Sequence, residues 1–279
     1  MSEFSDRTPV VLSLSSHDPS GSTGIQADIE TAVSLGAHCC AVVTALCARD
    51  TRQMVDLQPT PANLLIEQTR AILEDMPVAA IKLGYFCQVE QIEAVHSILR
   101  DYHDLPVVLD PVASLSIANA SADHFDDAEH LVDAMKSLLL PLADVATPDI
   151  VEAHQLSRQA DTVDACGQEI LTLGCSAVLI TGARRTANDY ENRLYLPRQP
   201  MRSFCWPRLS VFSHGSGATL SASICTYLAH GLLLSDALEQ GQQYTWQCLK
   251  ASRRLGMGHS IPNRLYWADR NGKIQGRLH

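Results

Sequence analysis

Strand-like and helix-like stretches alternate almost without a break along this chain, and that alternation limits the folds open to it. VVLSLS (10–15) gives way to GIQADIETAVSLGA, where Ile25, Ile29, Ala32, Val33 and Leu35 fit one helical face. The next strand is CCAVVTALC (39–47), followed by a helix from Pro61 to about Asp75 and a strand AAIKL (79–83). A helix from about Gln88 to Tyr102 precedes the strand PVVLD (106–110), which ends in a carboxylate. A helix near 125–139 leads to ADVATP, a helix from Ile150, a helix 162–173 and the strand SAVLIT (176–181). RLYLP and RSFCWP read as a β-ribbon punctuated by Pro197 and Pro200, and two helices follow, roughly 217–230 and 235–254.

Near-continuous Val/Ile/Leu strands alternating with helices predict an α/β fold whose parallel sheet is covered on both faces. No Pro-, Gly- or Ser-rich linker and no repeat divides the chain, so residues 1–279 read as one domain. In such sheets the ligand lies beyond the carboxyl ends of the strands. Asp110, Thr147, Thr181 and the HGSG turn (214–217) all fall at that edge. The tail IPNRLYWADRNGKIQ carries an Asn-Gly turn and is expected to fold back over the body; the sequence attaches no function to it.

Several classes are excluded by composition. With 21 basic and 31 acidic residues the net charge is −10, and no basic stripe offers a nucleic-acid footprint. Nine scattered cysteines, odd in number and without a CxxC pair, read as buried reduced thiols. MSEFSDRTP is no signal peptide and no apolar run reaches membrane-spanning length, so the expected location is cytoplasmic with no membrane partner. The eleven histidines show no HExxH spacing and read as surface or structural residues.

Three stretches can carry chemistry. In SSHDPSGSTGIQAD (15–28), Gly21 and Gly24 flank a loop, and Asp28 lies in the first turns of a helix that otherwise turns an apolar face to the sheet. Such an aspartate can accept from a bound heterocycle, or simply sit favourably near the positive end of the helix dipole. In HGSGATLSA (214–222), glycines before a long helix expose main-chain N–H groups where the dipole favours an anion. The alternative is a tight turn into a packed helix, and the stretch does not match GxxxxGK[ST]. In ATPDIVEA (146–153), Thr147 is the expected N-cap and Pro148 the first-turn residue. Glu152, with Asp110, offers hard oxygen ligands for magnesium, or is an ordinary early-turn carboxylate.

These motifs, in this order, resemble the hydroxymethylpyrimidine/phosphomethylpyrimidine kinases of thiamine biosynthesis, a branch of the ribokinase superfamily. The likeness runs from VVLSLSSHDPSGSTGIQADIETAVSLGA through VVTALCARDT, AAIKLGYF, VVLDPV, TPDIVEA and VLITG to HGSGATLSASI. It implies a ribokinase-like three-layer α/β/α sandwich with a mainly parallel sheet, commonly a homodimer. It also implies transfer of the γ-phosphoryl group of ATP, with Mg2+, to 4-amino-5-hydroxymethyl-2-methylpyrimidine and then to its monophosphate. By the same resemblance Asp28 is the pyrimidine-binding aspartate, grouped with Ser16, Arg49 and Tyr85 around the substrate. Asp110 and Glu152 match acidic positions near magnesium and the phosphates, and Glu152, Thr181 and Gly182 fall beside the nucleotide. Gly215, Ser216 and Gly217 match the anion hole, with Ala218 at the catalytic position.

The pocket departs from the family pattern. GSTG replaces the usual GGAG, so Ser22 and Thr23 enlarge a tight loop, and Asp149 replaces a frequent Asn. Arg49 stands where Gln or Glu commonly faces the pyrimidine; inside the pocket it disfavours a cation and can pair with an anion, and on the surface it pairs with Asp50 or solvent. Tyr85 replaces an aliphatic residue, and Ala218 replaces the cysteine that accepts the hydroxyl proton. General-base assistance is worth about 10²–10⁴ in rate. The stretch therefore reads as a phosphoryl cradle without its proton acceptor. Three readings follow: a slower kinase in which His214 or a water takes the proton, a site kept for binding without turnover, or an inactivating substitution. A kinase of pyridoxal or another hydroxymethyl heterocycle and a non-catalytic pyrimidine- or nucleotide-binding protein are the rivals.

Overall fold

The computed structural model describes residues 8–112, 128–210 and 213–271, without the side chains of 269–271. Nine strands form one sheet in the order β3-β2-β1-β4-β5-β6-β7-β8-β9. They are β1 Val10–His17, β2 His38–Arg49, β3 Met54–Pro59, β4 Val78–Leu83, β5 Val107–Leu109, β6 Val145–Ala146, β7 Val178–Arg185, β8 Asp189–Tyr195 and β9 Arg202–Pro207. The six strands β2-β1-β4-β5-β6-β7 run parallel, and β3, β8 and β9 join antiparallel at the edges. Crossover helices impose this: α1 Gly24–Ser34, α2 Ala62–Asp75, α3 Val89–Asp101, α4 Ala128–Ala134, α5 Ile150–Leu156 and α6 Val163–Thr172 return the chain between strands. The helices α7 Ser216–Ala229, α8 Leu234–Lys250 and α9 Tyr266–Asn271 complete the described chain.

Each face of the sheet carries its own apolar layer. Leu12, Leu14, Ile81 and Leu83 pack with Leu65, Ile92, Leu131 and Ile170 on one side. Val11, Ala80, Val108 and Leu179 pack with Leu220, Ile224 and Leu238 on the other. The result is the expected three-layer α/β/α arrangement. At β1 the strand order turns: the α1 crossover leads to β2 on one side and the α2 crossover from β3 leads to β4 on the other, which opens a crevice beyond the strand ends.

Four local expectations change. The hairpin partner β3 follows a bulge near Arg49 and went unread, because MVDLQP is short and only Met54 and Leu57 are buried. In α1 the buried face is Gly24, Ile25, Ala27, Asp28, Thr31 and Ala32, while Ile29 and Val33 are exposed. Small residues face inward there because α1 packs closely against β2 and α7, which leaves the large aliphatics outside. The N-cap of α5 is Asp149, not Thr147: its carboxylate accepts from Val151 and Glu152 N–H, and Glu152 accepts from Asp149 N–H, a capping box. Pro148 thus lies before the helix, and Thr147 donates its hydroxyl to the Leu109 carbonyl. The helix expected near 125–139 begins at Ala128 within the described residues and passes through a π turn at Met135–Leu139. Among the described residues no helix is long and apolar enough to cross a membrane, and all nine cysteines are free.

Candidate active site

The loop after β1 is tied by one carboxylate. Asp18 Oδ1 accepts from the Ser20 N–H (2.8 Å) and hydroxyl (2.7 Å), and Oδ2 accepts from the Thr23 N–H (3.0 Å). This Asp-centred turn is what D-P-S-G encodes. At Gly24, φ is +65° and a Cβ would lie 2.1 Å from the Ser16 carbonyl oxygen, so no other residue fits between loop and strand.

The head of α7 meets this loop. Gly215 has φ +99°, and a Cβ there would stand 1.7 Å from the Ser22 carbonyl oxygen. No side chain caps α7, so its first-turn N–H groups, beginning with Ser216, Gly217 and Ala218, are left for a ligand. Arg264 locks the two loops together. From full burial it donates to the Thr219 hydroxyl (3.0 Å), the Gly21 carbonyl (2.9 Å), the Glu30 carboxylate (3.0 Å) and the Ser22 carbonyl. The tail, to which the sequence assigned no function, therefore holds the two loops through Arg264.

At the floor, Lys82 Nζ lies 3.0 Å from Asp28 Oδ2 and 4.0 Å from Asp110 Oδ2. Burial opposes its charge, but the two carboxylates outweigh that and hold the ammonium above its ordinary value. Burial raises Asp110, against the pull of Lys82. Ser221 donates to Asp110 Oδ2 (3.2 Å), and Ser13 to Asp28 Oδ2 (2.7 Å), leaving Asp28 Oδ1 without a partner.

A small cavity opens over these groups. Ser16, Arg49, Tyr85, Asp110 and Ala218 line it together, as the sequence grouped them, and so do Asp18 and Lys82. Gly217 borders it, since a Cβ there would sit 3.6 Å from Asp110 Oδ1. Arg49 is inside, its side chain only 8% exposed and its Nε 3.7 Å from Asp18; the surface alternative fails because Arg52 takes Asp50.

Other expected residues stand elsewhere. Asp28 is not part of the lining; its carboxylate is bonded to Lys82, which is. Glu152 lies outside the cavity, its carboxyl pushed up to about 9 by burial and then by Asp110 and Asp149. Thr181 donates its N–H to the Pro148 carbonyl, and Gly182, at φ +65°, donates to Asn192 Oδ1 (3.1 Å). His214 does not line the cavity either; burial and then Arg49 lower its ring to about 4, which keeps it neutral. Sequence reading passed over Lys82, Asp18 and Arg264. A lysine inside the apolar strand AAIKL was a usable signal, because a buried charge demands partners.

Comparison with known proteins adds to this geometry. Residues 18–263 match the family described as phosphomethylpyrimidine kinase. The chain is 32% identical over 275 residues to the thiamine biosynthesis bifunctional protein of Geobacter sulfurreducens, covering 95% of this chain and 55% of that one. It is 31% identical over 266 residues to the hydroxymethylpyrimidine/phosphomethylpyrimidine kinase of Mycobacterium bovis, covering 92% and 94%. Among solved structures, an ADP complex of Bacillus subtilis pyridoxal kinase superposes with a TM-score of 0.84 at 25% identity, over 94% of this chain and 99% of that one.

Proposed function

The chain belongs to the phosphomethylpyrimidine kinase family, and from that premise we propose that its cavity is where ATP phosphorylates a methylpyrimidine of thiamine biosynthesis. One observation carries the reading: the uncapped head of α7, the Lys82–Asp110 pair and Arg49 converge on a single cavity.

The division of labour follows from the contacts. Main-chain N–H groups of Ser216, Gly217 and Ala218 hold the terminal phosphate of the nucleotide, aided by the helix dipole. Lys82 presents a fixed positive charge on the floor, where negative charge builds up during transfer. Asp28 and Ser13 keep that ammonium charged and aimed, so Asp28 acts through Lys82 rather than on the pyrimidine. Ser16, Tyr85 and Arg49 face the acceptor. Glu152, Thr181 and Gly182 lie where the nucleotide's remainder passes.

Asp110 and Glu152 fit a magnesium ion. Asp110 adds to the cost that burial imposes on charging Glu152, which a divalent cation relieves. No group of three metal ligands exists among the described residues, so water and phosphate oxygens would have to complete the ion's shell. Bound there, it would neutralise phosphate charge. The homodimer belongs to the same proposal; Leu46 and Val55, exposed on the β2–β3 hairpin, favour a covered face, and sedimentation checks it.

Coupled ADP release with the pyrimidine alcohol, its monophosphate and pyridoxal tests the assignment. ATP-dependent turnover of a pyrimidine is expected. Turnover of pyridoxal alone would move the protein to the pyridoxal kinases, and no release with any acceptor would end the kinase reading.

A further inference from the structure

Two features of the cavity point to the same property of the acceptor. The first is Arg49, the last residue of β2. Its Nε is buried without a hydrogen-bond partner. Its ionic neighbour, Asp18, is already engaged by the Ser20 N–H, the Ser20 hydroxyl and the Thr23 N–H. The contact between them is 3.7 Å, an ion pair without a hydrogen bond. A buried guanidinium with an unused donor facing a cavity is unfinished without an anion. It also lies on the phosphate side, close enough to His214, the residue before Gly215, to disfavour that ring's protonation.

The second feature is Ala218, which lines the cavity and cannot accept a proton. The Cys47 thiol also lines the cavity, but burial pushes it up to about 11, so it keeps its own proton. Asp110 accepts from Ser221 on Oδ2, with the Lys82 ammonium 4.0 Å from that oxygen, and Asp18 is held by its own loop. The Tyr85 hydroxyl is pushed up by burial and stays protonated.

An alcohol acceptor needs that missing base. Transfer from ATP to ROH forms the O–P bond, breaks the Pβ–O–Pγ bridge and releases ADP and one proton. A phosphate monoester does not need it. With a second pKa near 6 it is largely dianionic at neutral pH. One of its anionic oxygens attacks Pγ, the bridge electrons leave on ADP, and an anhydride forms with no proton to remove. The total charge of −6 is conserved as −3 on ADP and −3 on the product diphosphate, by about the same ionisation states.

We propose that this cavity is selective for an acceptor that already carries a phosphate, phosphomethylpyrimidine, with Arg49 binding the monoester and Ala218 disabling the alcohol step. The proposal rests on the kinase reading above and narrows it to the second transfer.

The test compares kcat/KM for the pyrimidine alcohol and its monophosphate in the unaltered protein, and uses calorimetry to follow each ligand without nucleotide. Turnover of the monophosphate should exceed that of the alcohol by about 10²–10⁴. Arg49→Gln should weaken monophosphate binding roughly tenfold or more and weaken alcohol binding by much less, with Arg49→Lys between. Equal turnover of both acceptors would overturn the selectivity while leaving the kinase assignment standing. Monophosphate affinity unchanged in folded Arg49→Gln would remove Arg49 from the account. No turnover of either acceptor would overturn both.

Discussion

The cavity has two walls of different construction. One is backbone: the head of α7 and the loop 18–23, fixed by Gly215, Gly24 and Arg264. The other is side chain: Arg49, Tyr85 and Ala218. The backbone wall leaves the first N–H groups of α7 uncapped, whereas the side-chain wall holds the three residues at which the sequence reading expects a departure from the family it resembles. The contrast teaches where function is tied to the fold. Gly215 cannot change without striking Ser22, so the phosphate cradle is enforced by packing. Ala218 lies in the first turn of α7 and lines the cavity, so its side chain sets the chemistry of that wall without fixing the backbone.

Restoring the proton acceptor on the side-chain wall should give the largest effect. Ala218→Cys is expected to raise alcohol phosphorylation by about 10²–10⁴, equivalent to roughly 3–5 kcal/mol of barrier, and to leave monophosphate phosphorylation little changed. Coupled ADP release with both acceptors reads this directly. An equal gain on both would show that the two walls are not separable in this way.

The backbone wall should respond in stability first. Arg264→Ala leaves the Gly21 and Ser22 carbonyls and the Thr219 hydroxyl without their donor and Glu30 without its ion partner. Glu30 is partly exposed, so the loss should lie near the low end for a broken buried pair, about 3 kcal/mol in urea unfolding. Nucleotide affinity should fall too, and Arg264→Lys should recover only part of either. Gly215→Ala should cost somewhat less, about 2 kcal/mol, from the left-handed backbone and the displaced Ser22 carbonyl. If Gly215→Ala bound ATP as the parent does, the claim that packing enforces the cradle would fall.

The same division explains what the sequence could reveal. The alternation of apolar strands and helices set the sheet and both layers, because burial on two faces leaves a periodic record. Gly215–Gly217 and Asp110 were visible as a motif and a strand-terminal charge. Arg49 could be read two ways, since nothing local says whether a strand-end arginine turns in or out; the bulge before β3 decides it. Arg264 had no local sign at all: it meets the Gly21 carbonyl across 243 positions, and only the assembled fold brings them together. Asp28 was visible as an aspartate inside an apolar helix, but its partner Lys82 lies 54 positions away, so the contact between them could not be read from the sequence.

The smallest expected effect concerns His214, the residue joining the two walls. Its ring is buried beside Arg49, its Nε2 has no partner, and its pKa is lowered from 6.5 to about 4. The unfolded chain therefore takes up a proton as pH falls below about 6.5, while the folded chain resists until about 4. Stability should accordingly decline between those values and flatten below them. The decline from pH 7 to pH 5 should be roughly 1 kcal/mol after allowing for solvent at a partly buried ring. In His214→Gln the same unfolding series should lose that much of its acid-side slope. Because the cause includes Arg49, the double variant with Arg49→Gln should lose less than the two single changes added together. A slope untouched by His214→Gln would mean the ring already has water or a ligand group on Nε2, and the junction between the walls would be wetter than its packing indicates.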